Sequence, residues 1–289
     1  MIALHRTAIA LMLAALFSTL ADPAAAQGGA CAGLRITLSQ SSIGAYDARE
    51  NAALRLPVRL EAGDVPDACT DPDIILRPAG GGRLSYAGAS GTLDGRFVRD
   101  GGVRGNRTRA QLAPFLAERL LTDGAIDVDL GQVNTGQFVP PGLYRSELLI
   151  EVDGAVRGTA DLAVDVAAVI AFARGTSSAA QTLDFGVLEP GRTVRTAFFF
   201  RSNASVQVTA ISENRGRLVN DENPTLSPIP YSADLNGRDL PLSAPVPVPS
   251  GNAPGQRVAR GNLRLRIGAF DGAWAGTYRD VLVLELRAF

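Results

Sequence analysis

The chain has 289 residues, with 28 basic residues against 29 acidic ones and a formal net charge of −1. That balance argues against nucleic acid as a partner, since its binding needs a clustered positive excess. Every basic residue is Arg and the single histidine, His5, lies in the N-terminal leader described next. A mature chain therefore lacks the usual general base, the Ser–His and Cys–His nucleophile pairs, and Schiff-base chemistry. Carboxylate chemistry of the glycosidase kind stays open, but no pairing of acidic residues stands out. No enzyme and no cofactor is expected.

Residues 1–26 read as an export signal. Arg6 supplies the positive start, Ala8–Leu20 the apolar stretch, and Ala24-Ala25-Ala26 the small-residue site, with cleavage before Gln27. The apolar run falls short of the roughly 20 residues that span a bilayer. Cys31 and Cys69 are the only cysteines. In an oxidising compartment they are expected to form one disulfide, closing a loop of about 38 residues and stabilising it by roughly 3–4 kcal/mol. A metal site is the alternative, although two thiolates without histidine partners make a poor zinc cage.

Beyond Cys31 the pattern predicts an all-β fold, because short apolar–polar alternations are separated by Gly, Asn, Asp and Pro clusters. Strands are expected near Leu34–Leu38, Ala53–Leu60, Asp73–Pro78, Ala125–Val133, Gly142–Val152 and Thr159–Ala167. The glycine-rich Gly80–Gly105 stretch reads as hairpins and loops. It lacks the flanking strand, helix and Lys of a phosphate-cradling loop. One helix is expected at Ala113–Leu121, started by Pro114 and ended by Asp123-Gly124. Residues 168–180, with Gly175 and Ser177-Ser178, read as a joint between a first domain (27–168) and a second (169–289). In the second, strands are expected near Val169–Ala173, Thr182–Phe185, Thr193–Arg201, Val206–Ser212, Pro230–Leu235, Gly261–Gly268 and Thr277–Arg287. Pro241–Pro254 reads as an extended connection, since Pro cannot donate to a central ladder.

The two halves share a repeat. Gly142-Leu143-Tyr144-Arg145-Ser146-Glu147-Leu148-Leu149-Ile150-Glu151-Val152 recurs as Gly276-Thr277-Tyr278-Arg279-Asp280-Val281-Leu282-Val283-Leu284-Glu285-Leu286. Upstream, Ile126-Asp127-Val128-Asp129-Leu130-Gly131 matches Leu263-Arg264-Leu265-Arg266-Ile267-Gly268. Alternation puts Tyr144, Leu148, Ile150 and Val152 on one face, as it does Tyr278, Leu282, Leu284 and Leu286. Both halves are thus expected to be the same sandwich, diverged. The first copy turns at Asp153-Gly154 into a further strand, whereas the second has no such successor before Phe289. The second sandwich is expected to lack its last strand and to take one from another chain by β-augmentation. The alternative is completion from within, with Val169–Ala173 as the donor.

The segments Leu183-Asp184-Phe185-Gly186, Arg264–Gly268 and Ala275–Leu284 resemble the spore coat protein U domain family over roughly residues 170–289. That family includes subunits of archaic chaperone–usher pili. The resemblance implies two immunoglobulin-like β-sandwich domains, the C-terminal one incomplete. It also implies a periplasmic chaperone, an outer-membrane usher and a neighbouring pilin subunit, whose N-terminal donor strand fills the gap. Cysteines often seen in such domains are absent from the second half. The donor-strand groove is expected at Phe198, Phe200, Leu282, Leu284 and Leu286, residues that equally suit a plain core. Only Gln27–Ala30 precede Cys31, too little for a donor strand. The plan therefore resembles a two-domain tip adhesin that meets an unknown surface or receptor.

Contact loops in the first domain are expected at Gly80–Gly91, Asp100–Arg107 and Gln137–Pro141. In the last, Phe138 and Val139 would form an exposed apolar tip, the alternative being an ordinary turn into a strand. Two other readings share the fold: a non-fibrous secreted coat or envelope protein, and a periplasmic pilus chaperone.

Overall fold

The computed structural model describes residues 29–173, 180–251 and 255–289. The export signal with its cleavage site, and Gly175 with Ser177-Ser178, lie outside the described residues. No helix among the described residues is long and apolar enough to cross a membrane.

The elements follow in chain order. They are β1 (Arg35–Gln40), β2 (Gly44–Tyr46), β3 (Leu54–Gly63), β4 (Ile74–Pro78), β5 (Ser85–Gly88), β6 (Gly91–Phe97), β7 (Arg99–Asp100), β8 (Val103–Gly105), β9 (Ala110–Leu112), α1 (Pro114–Asp123), β10 (Ala125–Val133), β11 (Gly142–Val152) and β12 (Ala155–Val166). After them come β13 (Ile170–Phe172), β14 (Thr193–Ser202), β15 (Val206–Ser212), β16 (Arg217–Asn220), β17 (Ile229–Leu235), β18 (Arg238–Leu240), β19 (Val248–Pro249), β20 (Gly255–Ile267), β21 (Tyr278–Arg279) and β22 (Leu282–Ala288). The fold is all-β, built from antiparallel sheets, with β2–β12 the single parallel pair among the described residues.

In the first half, β1-β3-β10-β6 forms one run and β2-β12-β11-β4-β9-β8-β7 another, linked through β5, which pairs both β6 and β11. Strict alternation drives this packing. In β3, Leu56, Val58 and Leu60 are buried while Arg55, Arg59 and Glu61 face water. A bulge in β10 between Asp129 and Gly131 turns both Leu130 and Gly131 inward. A side chain at Gly131 would collide with the Tyr86 hydroxyl, whose oxygen lies 2.8 Å from where a Cβ would sit. Helix α1 starts at Pro114, where the missing N–H costs nothing, and stops at Gly124 in the left-handed region at φ 75°. It covers the core with Leu116, Ala117 and Leu120. Cys31 and Cys69 are joined in a disulfide that staples the start of the chain onto this core.

In the second half, one sheet runs β13-β14-β20-β17-β16-β21, with β18 also on β17, and the other runs β19-β15-β22. Between them, Phe200, Val208, Ala210, Ile229, Leu235, Leu265 and Ile267 form a separate core cluster.

Several expectations change here. Thr182–Phe185 is not a strand; its apolar residues instead lay Phe185 and Leu183 onto the core as irregular chain. The expected strand Thr277–Arg287 is broken at Asp280-Val281 into β21, paired to β16, and β22, paired to β15. The break is held by the Asp280 carboxylate, which accepts hydrogen bonds from the Tyr231 hydroxyl (2.5 Å), Ser212 Oγ (2.6 Å) and the Asn214 N–H (2.9 Å). The first copy has Ser146 at this place and runs through unbroken. An acidic side chain with three donors converging on it thus moves the strand from one sheet to the other.

Candidate functional site

The site is the side of the second sandwich bounded by β13 and β22. Each is the end strand of its sheet among the described residues, and the two lie close to one another. β13 pairs β14 with Ile170 opposite Ser202 and Phe172 opposite Phe200. β22 pairs β15 with Leu282 opposite Ser212, Leu284 opposite Ala210 and Leu286 opposite Val208. Residues directly opposite in an antiparallel pair share a face, so the inner face of the sandwich continues from β14 onto β13 and from β15 onto β22.

Burial falls away toward both edges. Phe200 is 1% exposed, yet Phe172, directly opposite it, is 59% exposed. Val208 and Ala210 are fully buried, while Leu286 and Leu284 opposite them are only half-buried. The alternation of β22 remains legible, with Leu282, Leu284 and Leu286 half-buried and Val283, Glu285 and Arg287 exposed. The inner face is therefore correctly oriented but uncovered.

The internal repeat supplies the control. Strand β11 carries the matching residues Tyr144, Leu148, Ile150 and Val152 at 2% exposure or less. Strand β12 pairs it along its whole length, from Gly142–Val166 to Val152–Ala155, and β4 pairs its other side. In β22 the corresponding Leu282, Leu284 and Leu286 have β15 on one side and no strand on the other among the described residues. These apolar positions face the same way in both copies, and the second flanking strand is present only in the first.

Phe198 and Phe200 form the floor. Their ring centroids are 5.9 Å apart in a stacked arrangement. Phe198 lies flat because it faces Gly261 across the ladder, where an added Cβ would sit 2.4 Å from its ring. Gly261 thus lets the ring fold down against the sheet. The structure places all five residues expected to line a groove on one core with Ile170 and Val194, Phe200 sealed within it and Phe198, Leu282, Leu284 and Leu286 half-buried at its margin. Ile170 and Phe172 were missed. Their signal was the short alternating run at 169–173, read above as a strand available to complete the sandwich. That run pairs β14 on the opposite sheet, so it forms one wall of the opening and does not fill it.

The expected adhesive tip is corrected. Phe138 and Val139 are each 7% exposed and belong to the first core. Gln137 anchors their loop: its N–H donates to the Tyr46 hydroxyl (2.8 Å), and its side-chain amide donates to the carbonyls of Asp94 and Asn134. Two apolar residues beside two prolines gain more from the core than from water, and the neighbouring turn supplies the bonds that hold them there. They form the ordinary turn that was the alternative reading.

No family model matches the sequence, and no curated protein sequence does. Solved structures align with the chain at low identity. A chain of the CsuC–CsuE chaperone–tip adhesion subunit pre-assembly complex, from archaic chaperone-usher Csu pili of Acinetobacter baumannii, is 15% identical with a TM-score of 0.45, covering 88% of this chain and 100% of that one. A chain from the chaperone–tip adhesin complex of CFA/I fimbriae is 12% identical with a TM-score of 0.33, over 89% of this chain and 84% of that one. The CupB6 tip adhesin from Pseudomonas aeruginosa is 8% identical with a TM-score of 0.31, over 86% and 94% of the two chains.

Proposed function

We propose that this chain is an adhesive subunit of a chaperone–usher pilus. Residues 169–289 form a pilin-like domain of the spore coat protein U kind that accepts a donor strand from a neighbouring subunit. Residues 27–168 form an outer domain that meets a surface or receptor, and the subunit sits at the fibre tip. Before assembly, a periplasmic chaperone occupies the same opening and an outer-membrane usher receives the complex. Export through the signal peptide takes the subunit to the periplasm and then to the cell surface.

The observation that carries this reading is the contrast between the two copies of the repeat. The inner residues of β11 are sealed, and those of β22 stand half-open between two edge strands. An edge strand left this way exposes ladder groups and apolar side chains together, a hazard that soluble proteins otherwise cover. A strand laid between β13 and β22 would pair those groups and bury Phe172, Phe198, Leu282, Leu284 and Leu286 in one step.

The test is a thermal melt of the purified chain with a synthetic peptide of alternating apolar residues. At a peptide concentration of about 100 Kd, the second-half transition gains roughly 2.7 kcal/mol and the first-half transition does not move. A scrambled peptide with adjacent apolar residues has no effect, because it cannot present one apolar face. A second-half transition that ignores the alternating peptide, in a chain that is already a stable monomer, refutes the proposal.

A further inference from the structure

The near-zero net charge conceals a local concentration of arginine on the outer face of β14-β20-β17, the face opposite the core. On β20, Arg264 and Arg266 face outward, alternating with buried Leu263, Leu265 and Ile267. Arg195 of β14 sits directly opposite Arg264. Arg260, opposite Phe199, holds its guanidinium 5.9 Å from the centroid of that ring. Like charges directly opposite in a sheet destabilise it, so this arrangement is a cost to the fold. The only carboxylate lining the trough is Asp234, which is buried. Its Oδ2 accepts from Arg264 Nε (2.5 Å) and its Oδ1 from the Gly237 N–H (3.2 Å). Among the described residues, Arg195, Arg260 and Arg266 make no ion pair.

The repeat shows that this face does not require arginine. Arg264 and Arg266 occupy the places held in the first half by Asp127 and Asp129. There each aspartate is matched by an arginine: Arg59 pairs with Asp127 at 3.2 Å and Arg55 with Asp129 at 3.2 Å. The same strand positions thus carry two paired aspartates in one half and two arginines in the other, of which Arg264 is paired by Asp234 and Arg266, among the described residues, is not.

The arginines border an open trough of about 680 Å³, lined also by Thr196, Asn236 and Asn262. A second recess of about 460 Å³ lies beside Arg266, with Gly191 and Ser232. Four residues of extended strand separate Arg260 from Arg264, about 13 Å, so the positive charge forms a track.

We propose that this track binds a linear polysaccharide bearing carboxylate or sulfate groups. Guanidinium forks match two-oxygen anions, and the hydroxyl and carboxamide groups between them suit sugar hydroxyls. The trough lining contains no aromatic residue and Phe199 beside it is faced by Arg260, so the track lacks the row of free rings on which successive bases of single-stranded nucleic acid stack. The track lies on the far side of the sheet from the β13–β22 opening, and its occupancy does not depend on the donor-strand reading.

The test measures binding of the full chain at low salt to immobilised alginate (carboxylate) and heparin (sulfate), with dextran as the neutral control and duplex DNA as the phosphate control. Retention on alginate, heparin or both, and not on dextran, is expected. The double variant R195E/R260E weakens glycan binding at least about tenfold, while R109E/R145E, the same charge change on exposed first-half arginines outside the expected contact loops, stays within about twofold of the parent. Arg264 is left in place so that Asp234 keeps its partner. Should the reversed variant fail to fold, R195K/R260K preserves the charge and is expected to lose part of the affinity, because Lys lacks the planar fork. The proposal is overturned by no retention on either acidic glycan, by equal losses in the two charge-reversed variants, by full affinity in R195K/R260K, or by tighter binding to DNA.

Discussion

Leu148 and Leu282 occupy the same place in the two copies of the repeat, and truncating each to Ala tests the open-edge argument with the chain as its own control. Leu148 is fully buried, with Ala160 opposite it on β12 and Pro78 opposite it on β4. Leu148→Ala should therefore cost the amount typical of a closed core, about 2–5 kcal/mol. Leu282 is half-buried, with only Ser212 opposite it on β15. Less apolar surface is removed from water at this position and the neighbours are free to relax, so Leu282→Ala should cost under about 2 kcal/mol. The assay is denaturant unfolding of each half, followed by amide hydrogen exchange so that the two transitions are assigned separately. Adding the alternating apolar peptide should raise the cost of Leu282→Ala toward that of Leu148→Ala and leave the latter unchanged. Equal costs in the free chain, or a Leu282→Ala penalty that the peptide does not alter, would falsify the reasoning.

Removing the disulfide with Cys31→Ala and Cys69→Ala together should lower first-half stability by roughly 3–4 kcal/mol, the loop-entropy value for a 38-residue separation, leaving the second half unaffected in calorimetry. Tyr231 and Tyr86 set the alkaline limit. Burial pushes both phenols well above their ordinary value, and at Tyr231 the Asp280 carboxylate adds to the rise. A raised folded-state value means that the unfolded chain releases its proton first. Stability is then complete below about pH 10 and falls as the pH climbs beyond it. Tyr231→Phe should flatten that alkaline loss in the second half. Tyr86→Phe should do so in the first half at no cost to neutral stability, since the buried Tyr86 hydroxyl has no hydrogen-bond partner. Unfolding followed from pH 7 to 11 checks both.

The strand pattern was largely readable because alternation is local. β10 and β11 fall where the sequence placed them, and α1 follows from Pro114 and Gly124. Missed were short elements such as β2, β16 and β18, which are three or four residues long and carry too little periodicity to stand out. The break at Asp280 was also missed. An Asp inside an alternating run looks like any outward polar residue until Tyr231 and Ser212, far away in the chain, are seen to converge on it. Phe138 and Val139 failed for a related reason: proline and glycine around them announce a turn, but not which way its apolar residues point.

What the residue order determined by itself is therefore the face each side chain takes and the fact that one strand unit occurs twice. Both depend on neighbours two positions away, through the pleat of an extended chain. Tertiary structure alone decided which strands lie side by side, because pairing depends on residues tens of positions apart whose alternation is interchangeable. That choice seals Leu148 beneath β12, leaves Leu282 at an edge, and sets Arg195 against Arg264 where the first half sets Arg59 against Asp127.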